Sequence, residues 1–535
     1  MEYYVVSPNV FNDGINHSEE MFNLKIAAVG WDVDSPKGRQ FDKIQVGDCI
    51  IVALRKSWQW SYFYLGIVSE NVKKPILGTI EKKLTPIVDL KNIDLGFDGW
   101  SSNGSNQIPA IQRITEEIQN QLIINKIQTI IGMQKYIDIL TSNRNLILTG
   151  APGTGKTYLA KQIAQQLIFD EAKENFTDDE KKQFNEQCGF VQFHPSYDYT
   201  DFVEGLRPIQ DDNGNVGFKR KDGMFKDFCK KALQYTSIDG VFDALIQDIN
   251  SGKITTIPLK TQESSRLVVE ENKIRWHETN NPTEIAGHSV SKENIKKLYN
   301  KYSTLDSLNS IFNIDDEIRQ VIGPCNSSYY YGILRYIIEK IGKKFVFIID
   351  EINRGEISKI FGELFFSIDP GYRGKNGKVK TQYQNLVEAG DEFYDGFYVP
   401  ENVYIIGTMN DIDRSVESMD FAFRRRFAFK EIKADENLEM LEELGELKAQ
   451  AIERMKRLNT EISKIEGLSS AYHIGAAYFL KLKNYRDDAD GGFENLWNNH
   501  LEGLLREYLR GSLNIEENIA KLKAAYNNES PENNG

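Results

Sequence analysis

The chain has 535 residues, 40% hydrophobic and 27% charged, a balance ordinary for a soluble globular protein and a length too great for one core, so several domains are expected. A formal net charge of -13 excludes a protein that coats nucleic acid non-specifically and leaves any such contact to a local site. The four cysteines, Cys49, Cys188, Cys229 and Cys325, form no CxxC pair, which excludes a disulfide framework and a zinc ribbon and fits a reducing compartment.

The opening MEYYVVSPNV has neither the basic flank nor the apolar stretch of a signal peptide, and no run approaches a membrane span. A cytoplasmic protein with no membrane partner is expected. Residues 1–105 read as a β-rich, barrel-like domain. YYVVS, DCIIVAL and SYFYLGIVS are short aromatic or β-branched runs bounded by turn residues. SSNGSNQ is a linker by composition, and residues 106–142 turn helical, with apolar residues three and four apart.

Residues 143–431 alternate strand and helix. LILTG, FVFIID and VYIIGTMN are continuous apolar runs, as strands covered on both faces of a parallel sheet require. Within this region about 234–330 is a polar insertion to which the sequence assigns no structure. Residues 432–527 are rich in Glu, Lys and Leu and read as a helical domain, and residues 528–535 as a disordered tail.

Three stretches carry chemistry. GAPGTGKT fills every position of the phosphate-loop pattern G-x-x-x-x-G-K-[ST], after an apolar strand and before a helix-like run. Backbone N–H groups of Gly150, Ala151, Gly153, Thr154 and Gly155, with Pro152 shaping the loop between them, curl around phosphate oxygens in such a loop. Lys156 would reach the β- and γ-phosphates, and Thr157 would ligate Mg²⁺. In FVFIIDEINRG the strand ends in Asp350, a second Mg²⁺ ligand, and Glu351, a general base for the attacking water. A solvated acidic turn is the plain alternative. In GTMNDIDRSVESMDFAFRRRF the strand end places Asn410 near the γ-phosphate to orient water, with Asp413 supporting it. Arg424 and Arg425, in the run Arg424–Arg426, are candidates for an arginine finger that answers a neighbour's nucleotide. A solvated basic helix end is the competing reading. His194 and His473 lack metal-ligand spacing and read as structural histidines.

GAPGTGKT, IIDEINRG and GTMNDIDRSV followed by FAFRRRF together resemble the McrB family, the AAA+ motor subunits of modification-dependent (type IV) restriction systems. VQFHPSYDYTDFVEGLRP, IFGELFFSID and AYHIGAAYFL support the resemblance, which runs over roughly residues 130–510. The family's M-N-T-A-D-R-S is Met409-Asn410-Asp411-Ile412-Asp413-Arg414-Ser415 here, with Asp411 and Ile412 in place of Thr and Ala. The resemblance implies an α/β AAA+ P-loop NTPase, a parallel sheet core plus helical lid. It implies a ring, expected to be a hexamer, that uses Mg²⁺ and prefers GTP, with ATP as the alternative. It further implies a separate McrC-like nuclease subunit, and it adds Arg354 and Arg414 to the intersubunit candidates. No D…ExK nuclease cluster on an apolar strand is present in this chain.

Within residues 1–105, the spacing F-x-x-I-x-x-G-D-x-I-x-V from Phe41 to Val52, followed by an aromatic strand, is similar to the EVE and PUA-like group. That similarity implies a reader of DNA carrying modified bases, since a flipped base needs flat apolar walls. Trp31, Trp58, Trp60, Tyr62 and Tyr64 are the available walls. Tyr62 and Tyr64 alternate and are expected on one strand face. Lys37, Arg39, Arg55 and Lys56 would hold the backbone. Aromatics that simply fill a small domain's core are an equal reading. The competing whole-chain reading is a MoxR- or midasin-like ATPase that remodels a protein client without DNA recognition. A defence sensor with slow hydrolysis is a third.

Overall fold

A computed structural model gives the structure, and it describes the chain outside residues 7–17, 30–34, 57–58, 73–79, 91–94, 96–110, 115–117, 170–175, 211–215, 260–265, 278–288, 311–312, 413–420, 486–490 and 529–535. The chain forms two compact units, Met1–Ser142 with Gln162–Thr177 and Asn143–Lys161 with Asp178–Gly535.

The first unit contains β1 (Tyr3–Val6), α1 (Ser18–Leu24), β2 (Ile26–Val29), α2 (Pro36–Asp42), β3 (Cys49–Lys56), β4 (Gln59–Asn71), β5 (Ile80–Asp89), β6 (Ile111–Arg113) and α3 (Ile118–Asn143). Its strands pair in the order β2-β5-β4-β3-β1-β6. Alternation along each strand feeds two cores. Met21 of α1 and Phe41 of α2 pack with Ile50, Val52 and Tyr64 in one. Ile123, Ile124, Ile127 and Ile130 of α3 pack with Ile51, Ala53, Tyr62 and Leu65 in the other. The linker expected at 101–107 lies outside the described residues, and residues 106–142, expected to be helical, supply the edge strand β6 as well as the covering helix α3.

The pairing also corrects the expectation that Tyr62 and Tyr64 share a face. Val52 pairs with Tyr64 but Ala53 pairs with Tyr62, so Phe63 is an extra residue at a bulge. A bulge shifts the side-chain phase by one. Both tyrosines are buried, on opposite sides of the sheet. The Tyr64 hydroxyl donates to the Ile26 carbonyl at 2.8 Å. Trp31 and Trp58 lie outside the described residues. Trp60 falls within β4.

The second unit is built on β7 (Asn145–Thr149), which leads through the glycine-rich loop into α4 (Lys156–Phe169), and on β8 (Cys188–Gln192). A hairpin of β9 (Glu204–Gln210) and β10 (Val216–Asp222) and a second of β11 (Leu267–Glu270) and β12 (Lys273–Trp276) follow, then β13 (Phe345–Asp350), β14 (Val403–Thr408) and β15 (Ala428–Glu431). The main sheet is five-stranded and parallel throughout, in the order β15-β7-β14-β13-β8. β13 and β14 are buried along their whole length, which is why both read as unbroken apolar runs. Phe347 meets Phe202, Phe225 and Phe228 edge-on across one face. Each such buried side chain contributes about 1.5–3 kcal/mol.

Polar ties fix the sheet's lower edge and the first hairpin. Asn145 opens β7 fully buried, and its amide donates to the carbonyls of Ile368 and Arg426 at 2.8 Å each. Arg373 donates to the Asn145 carbonyl, and burial pushes the Arg373 guanidinium down to about 10. Lys226, fully buried, donates to Glu204 at 2.7 Å and so holds the start of β9 to the helix Met224–Leu233.

The polar insertion is ordered over its described residues. Helices Ile238–Asn250, Lys292–Lys301, Ile314–Ile322 and Ser327–Lys340 share a core of their own with β11 and β12, and Trp276 stacks on Tyr329 at 3.4 Å. Residues after β15 form a separate helical core around Trp497, Leu505 and Tyr526, framed by Leu447–Ile462 and Ile515–Asn527. All four cysteines are free, and burial pushes the Cys49 and Cys188 thiols up to about 12.

Candidate nucleotide-hydrolysis site

The strand order brings the sequence motifs to one place. β7, β14 and β13 are neighbours and parallel, so the glycine-rich loop, Thr408 to Asn410, and Asp350 with Glu351 all leave the same sheet edge. Open α/β sheets bind ligands at that edge.

Gly150, at φ +140°, touches the segment that leaves β15: a Cβ there would lie 2.3 Å from the Ile432 carbonyl oxygen. Gly153, at φ +76°, faces the helical domain, where a Cβ would meet the Tyr478 ring at 2.5 Å. Both positions combine a left-handed backbone with no room for a side chain. Lys156 is buried and its ammonium donates to the carbonyls of Gly150 at 3.0 Å and Ala151 at 2.8 Å. Thr154 donates to Ala151 at 3.0 Å.

The Thr157 and Thr408 hydroxyls each donate to Asp350 Oδ1 at 2.6 Å. Thr408 also accepts the Glu351 backbone N–H at 3.2 Å. A hydroxyl and one carboxylate held together by a hydrogen bond fit Mg²⁺, which takes few protein oxygens and leaves the rest to water and phosphate. Among the described residues no group of three His, Cys, Asp or Glu side chains could hold a metal. Thr408 was invisible in the sequence, because its strand position gave no hint of the two backbone and carboxylate contacts it bridges.

Glu351 adopts a left-handed backbone, φ 51° and ψ 45°, which costs a non-glycine residue about 1–3 kcal/mol. That turn ends β13 and starts the short helix Ile352–Arg354. The Glu351 carboxylate accepts from the Asn410 amide at 2.7 Å and pairs with Arg354 at 3.4 Å. Asn353, also missed in the sequence, is buried and donates to the Asn410 carbonyl at 3.3 Å. Asp350, Glu351, Asn410 and Arg354 are thus one connected group with Thr157. Asp413 and Arg414 lie outside the described residues. Asp411 donates its backbone N–H to the Gly150 carbonyl at 3.4 Å.

The three arginines divide. Arg426 turns inward to Asp369 at 3.7 Å, with its guanidinium 5.9 Å from the Phe365 ring centre. Arg424 is exposed and lies 5.0 Å over the Phe429 ring of β15. Arg425 is exposed. His473 sits 2.7 Å from the Ser463 hydroxyl, and burial lowers its pKa. His194 is exposed and meets Tyr197 edge-on.

The helical domain is latched to the glycine-rich loop. Gly475 and Ala477 donate their backbone N–H groups to Pro152 and Gly153 at 3.1 and 2.9 Å, and Asn437 donates to the Thr154 carbonyl at 3.0 Å. AYHIGAAYFL, which supports the resemblance, contains Gly475 and Ala477, but nothing in the sequence assigned them or Asn437 a contact with the loop, because the carbonyls they cap come from residues far away in the chain.

The hydroxyl of Thr408 gives a direct test. Thr408→Val removes one donor to Asp350 and the acceptor of the Glu351 N–H while keeping the strand buried. The Mg²⁺ concentration for half-maximal nucleotide hydrolysis should rise about 10–100-fold, the cost of losing an outer-shell partner of a metal ligand. An unchanged Mg²⁺ titration would show that Thr408 is a strand residue only.

Residues 297–427 match the family model described as AAA domain (dynein-related subfamily), residues 450–515 match McrB, alpha-helical lid domain, and residues 128–187 match Novel STAND NTPase 3. The chain is 29% identical over 404 residues to the type IV methyl-directed restriction enzyme EcoKMcrB subunit of Escherichia coli K12, covering 73% of this chain and 59% of that protein. It thus spans under two thirds of that relative's length. It is 30% identical over 94 residues to the type II restriction enzyme BsuMI component YdiS of Bacillus subtilis, covering 17% of this chain and 27% of that protein. It is 25% identical over 186 residues to the chaperone protein ClpB of Oceanobacillus iheyensis, covering 33% of this chain and 22% of that protein. No helix among the described residues is long and apolar enough to cross a membrane.

Proposed function

We propose, from the premise that this chain is an McrB-like AAA+ P-loop NTPase with an McrB-type lid, that it is the GTP-hydrolysing motor and DNA-specificity subunit of an McrBC-like restriction system. The observation that carries the reading is the connected group at the sheet edge: Thr157 on Asp350 at 2.6 Å, and Asn410 on Glu351 at 2.7 Å, beside the buried Lys156. In this reading Lys156 and the loop N–H groups hold the phosphates. Thr157 and Asp350 hold Mg²⁺, which neutralises phosphate charge when bound. Glu351 takes the proton of the attacking water, and Asn410 fixes both the carboxylate and the water. An arginine of the next subunit in a ring, a hexamer by resemblance, completes the site. A separate McrC-like nuclease cuts, and residues 1–105 read modified DNA as an EVE-like domain. The burial of Tyr62 and Tyr64 shifts the weight of base contact to Trp31, Trp58 and Trp60.

The dynein-related AAA match keeps a protein-remodelling ATPase in view as the second reading. Hydrolysis of GTP and ATP, measured side by side over a range of protein concentrations, separates them. The motor reading expects a GTP preference and specific activity that rises steeply with concentration as subunits assemble. An ATP preference, with no binding of modified DNA by the full chain, would replace it with the remodeller.

A further inference from the structure

The arginine run and the phosphate loop of one chain stand at opposite ends of the same strand. β15 and β7 are parallel neighbours, with Ala428 beside Leu146 and Glu431 beside Thr149. Arg424–Arg426 precede β15 and so lie where β7 begins, whereas the glycine-rich loop leaves where β7 ends. β7 has five residues, so roughly 15 Å of strand separates the run from its own loop, more than an arginine side chain spans. Such a run is placed to serve another subunit's nucleotide, and its aim depends on what holds it at the lower end of β7.

That hold is Asn145. The three residues after it, Leu146, Ile147 and Leu148, are apolar and fully buried. Asn145 is equally buried, where a polar group costs stability unless it is bonded. Its amide donates to two backbone carbonyls that belong to no strand, those of Arg426 and Ile368, at 2.8 Å each. Arg426 is thus fixed at its carbonyl by Asn145 and at its guanidinium by Asp369, the residue after Ile368. The Arg425 and Arg426 N–H groups donate to the Phe421 and Phe423 carbonyls at 3.2 and 3.0 Å, and Phe423 stacks on Phe427 in the core. With Arg426 turned inward and pinned at both ends, Arg425 stands exposed.

Arg373 decides which way the Asn145 amide faces. Its guanidinium is buried and donates through Nη2 to Asn145 Oδ1, while Nε and Nη1 meet no acceptor among the described residues. A buried cation bonded only to a neutral amide is costly to keep. What it supplies here is direction: a donor on the amide oxygen turns the NH₂ group to the two carbonyls. We propose that Asn145, oriented by Arg373, is a positioning residue for hydrolysis in the next subunit: it seats the arginine run so that Arg425 faces the neighbour's nucleotide, an inference that rests on the reading above that an arginine of the next subunit completes the site. β7 then joins the phosphate loop of one site to the arginine of another.

Steady-state hydrolysis, binding of a non-hydrolysable GTP analogue and mixed-subunit assays on the full chain test it. Asn145→Asp keeps the side chain's shape and gives Arg373 a carboxylate, but has no hydrogens for the two carbonyls. Arg373→Met replaces the buried cation with an apolar side chain and leaves the amide free to turn over. Each should lower kcat about 10²-fold, the cost of misplacing a catalytic group by around an ångström, with KM and analogue binding unchanged. Adding Arg425→Ala to Asn145→Asp should slow hydrolysis no further than Arg425→Ala alone. Mixed with Lys156→Ala chains, which carry a seated arginine but hold no phosphate, either variant should regain hydrolysis. Wild-type kcat in both variants overturns the proposal. Loss of analogue binding in both places the pair in the fold and also overturns it. So does a slow variant that Lys156→Ala fails to rescue while Arg425→Ala is rescued, because the defect then lies in the variant's own site and the arginine reading stands. If Arg425→Ala is not rescued either, the arginine reading falls and this one with it.

Discussion

Glu351→Gln should hydrolyse nucleotide about 10²–10⁴ times more slowly than the wild type, the usual range for loss of a general base, with nucleotide affinity retained. The substitution is nearly isosteric. Asn410 can still donate to Oε1 at its present 2.7 Å, and Lys156 keeps its place on the Gly150 and Ala151 carbonyls of the glycine-rich loop, so phosphate binding should persist. What disappears is the carboxylate charge that pairs with Arg354 and takes the water's proton. The backbone supports a catalytic position over a structural one. Glu351 holds a left-handed conformation at a cost of about 1–3 kcal/mol, and such strain persists where surrounding contacts over-determine it. The measurement is single-turnover hydrolysis beside nucleotide binding and size-exclusion mass. Slow turnover with a stable, nucleotide-loaded assembly is the expected result. Normal turnover in this variant would move the base to another group and reduce Glu351 to a partner of Arg354.

How much of this was legible in advance follows from where the information lies in the chain. The glycine-rich loop and the two carboxylates ending β13 were readable because each is a contiguous motif whose flanking strand is apolar and buried on both faces. Asn410 was readable for the same reason, as the end of β14. Thr408 and Asn353 sit within the same motifs and went unnoticed, since their value comes from Asp350 and Asn410 across the sheet. Asn437, Gly475 and Ala477 are further still from the loop they cap. The Tyr62 and Tyr64 error has a local cause. Alternation predicts a common face only while the pairing register holds, and one extra residue, Phe63, reverses it. The insertion hid its fold because its apolar residues are spread over short elements, and their shared core appears only when helices from Ile238 to Lys340 come together.

The arginine run leads to the second large effect. The Arg426 guanidinium is spent on Asp369 and the Ala422 carbonyl, and Arg424 lies against Phe429, which leaves Arg425 as the cation best placed to reach another subunit. Arg425→Ala should lower turnover about 10³–10⁵-fold while nucleotide binding persists, the range for an arginine finger. Arg424→Ala should cost less, because its contact with β15 is internal. The decisive form of the experiment mixes inactive chains. A Lys156→Ala subunit cannot hold phosphate but carries a normal Arg425. An Arg425→Ala subunit holds phosphate but offers no finger. If Arg425 acts across an interface, a mixture contains pairs in which the first supplies the arginine to the second, and hydrolysis returns although neither chain alone turns over. If Arg425 served its own subunit, each chain would carry a complete defect and no mixing ratio would restore activity. Rescue by Arg424→Ala mixtures with none by Arg425→Ala would transfer the role to Arg424, and would require its contact with Phe429 to break on assembly.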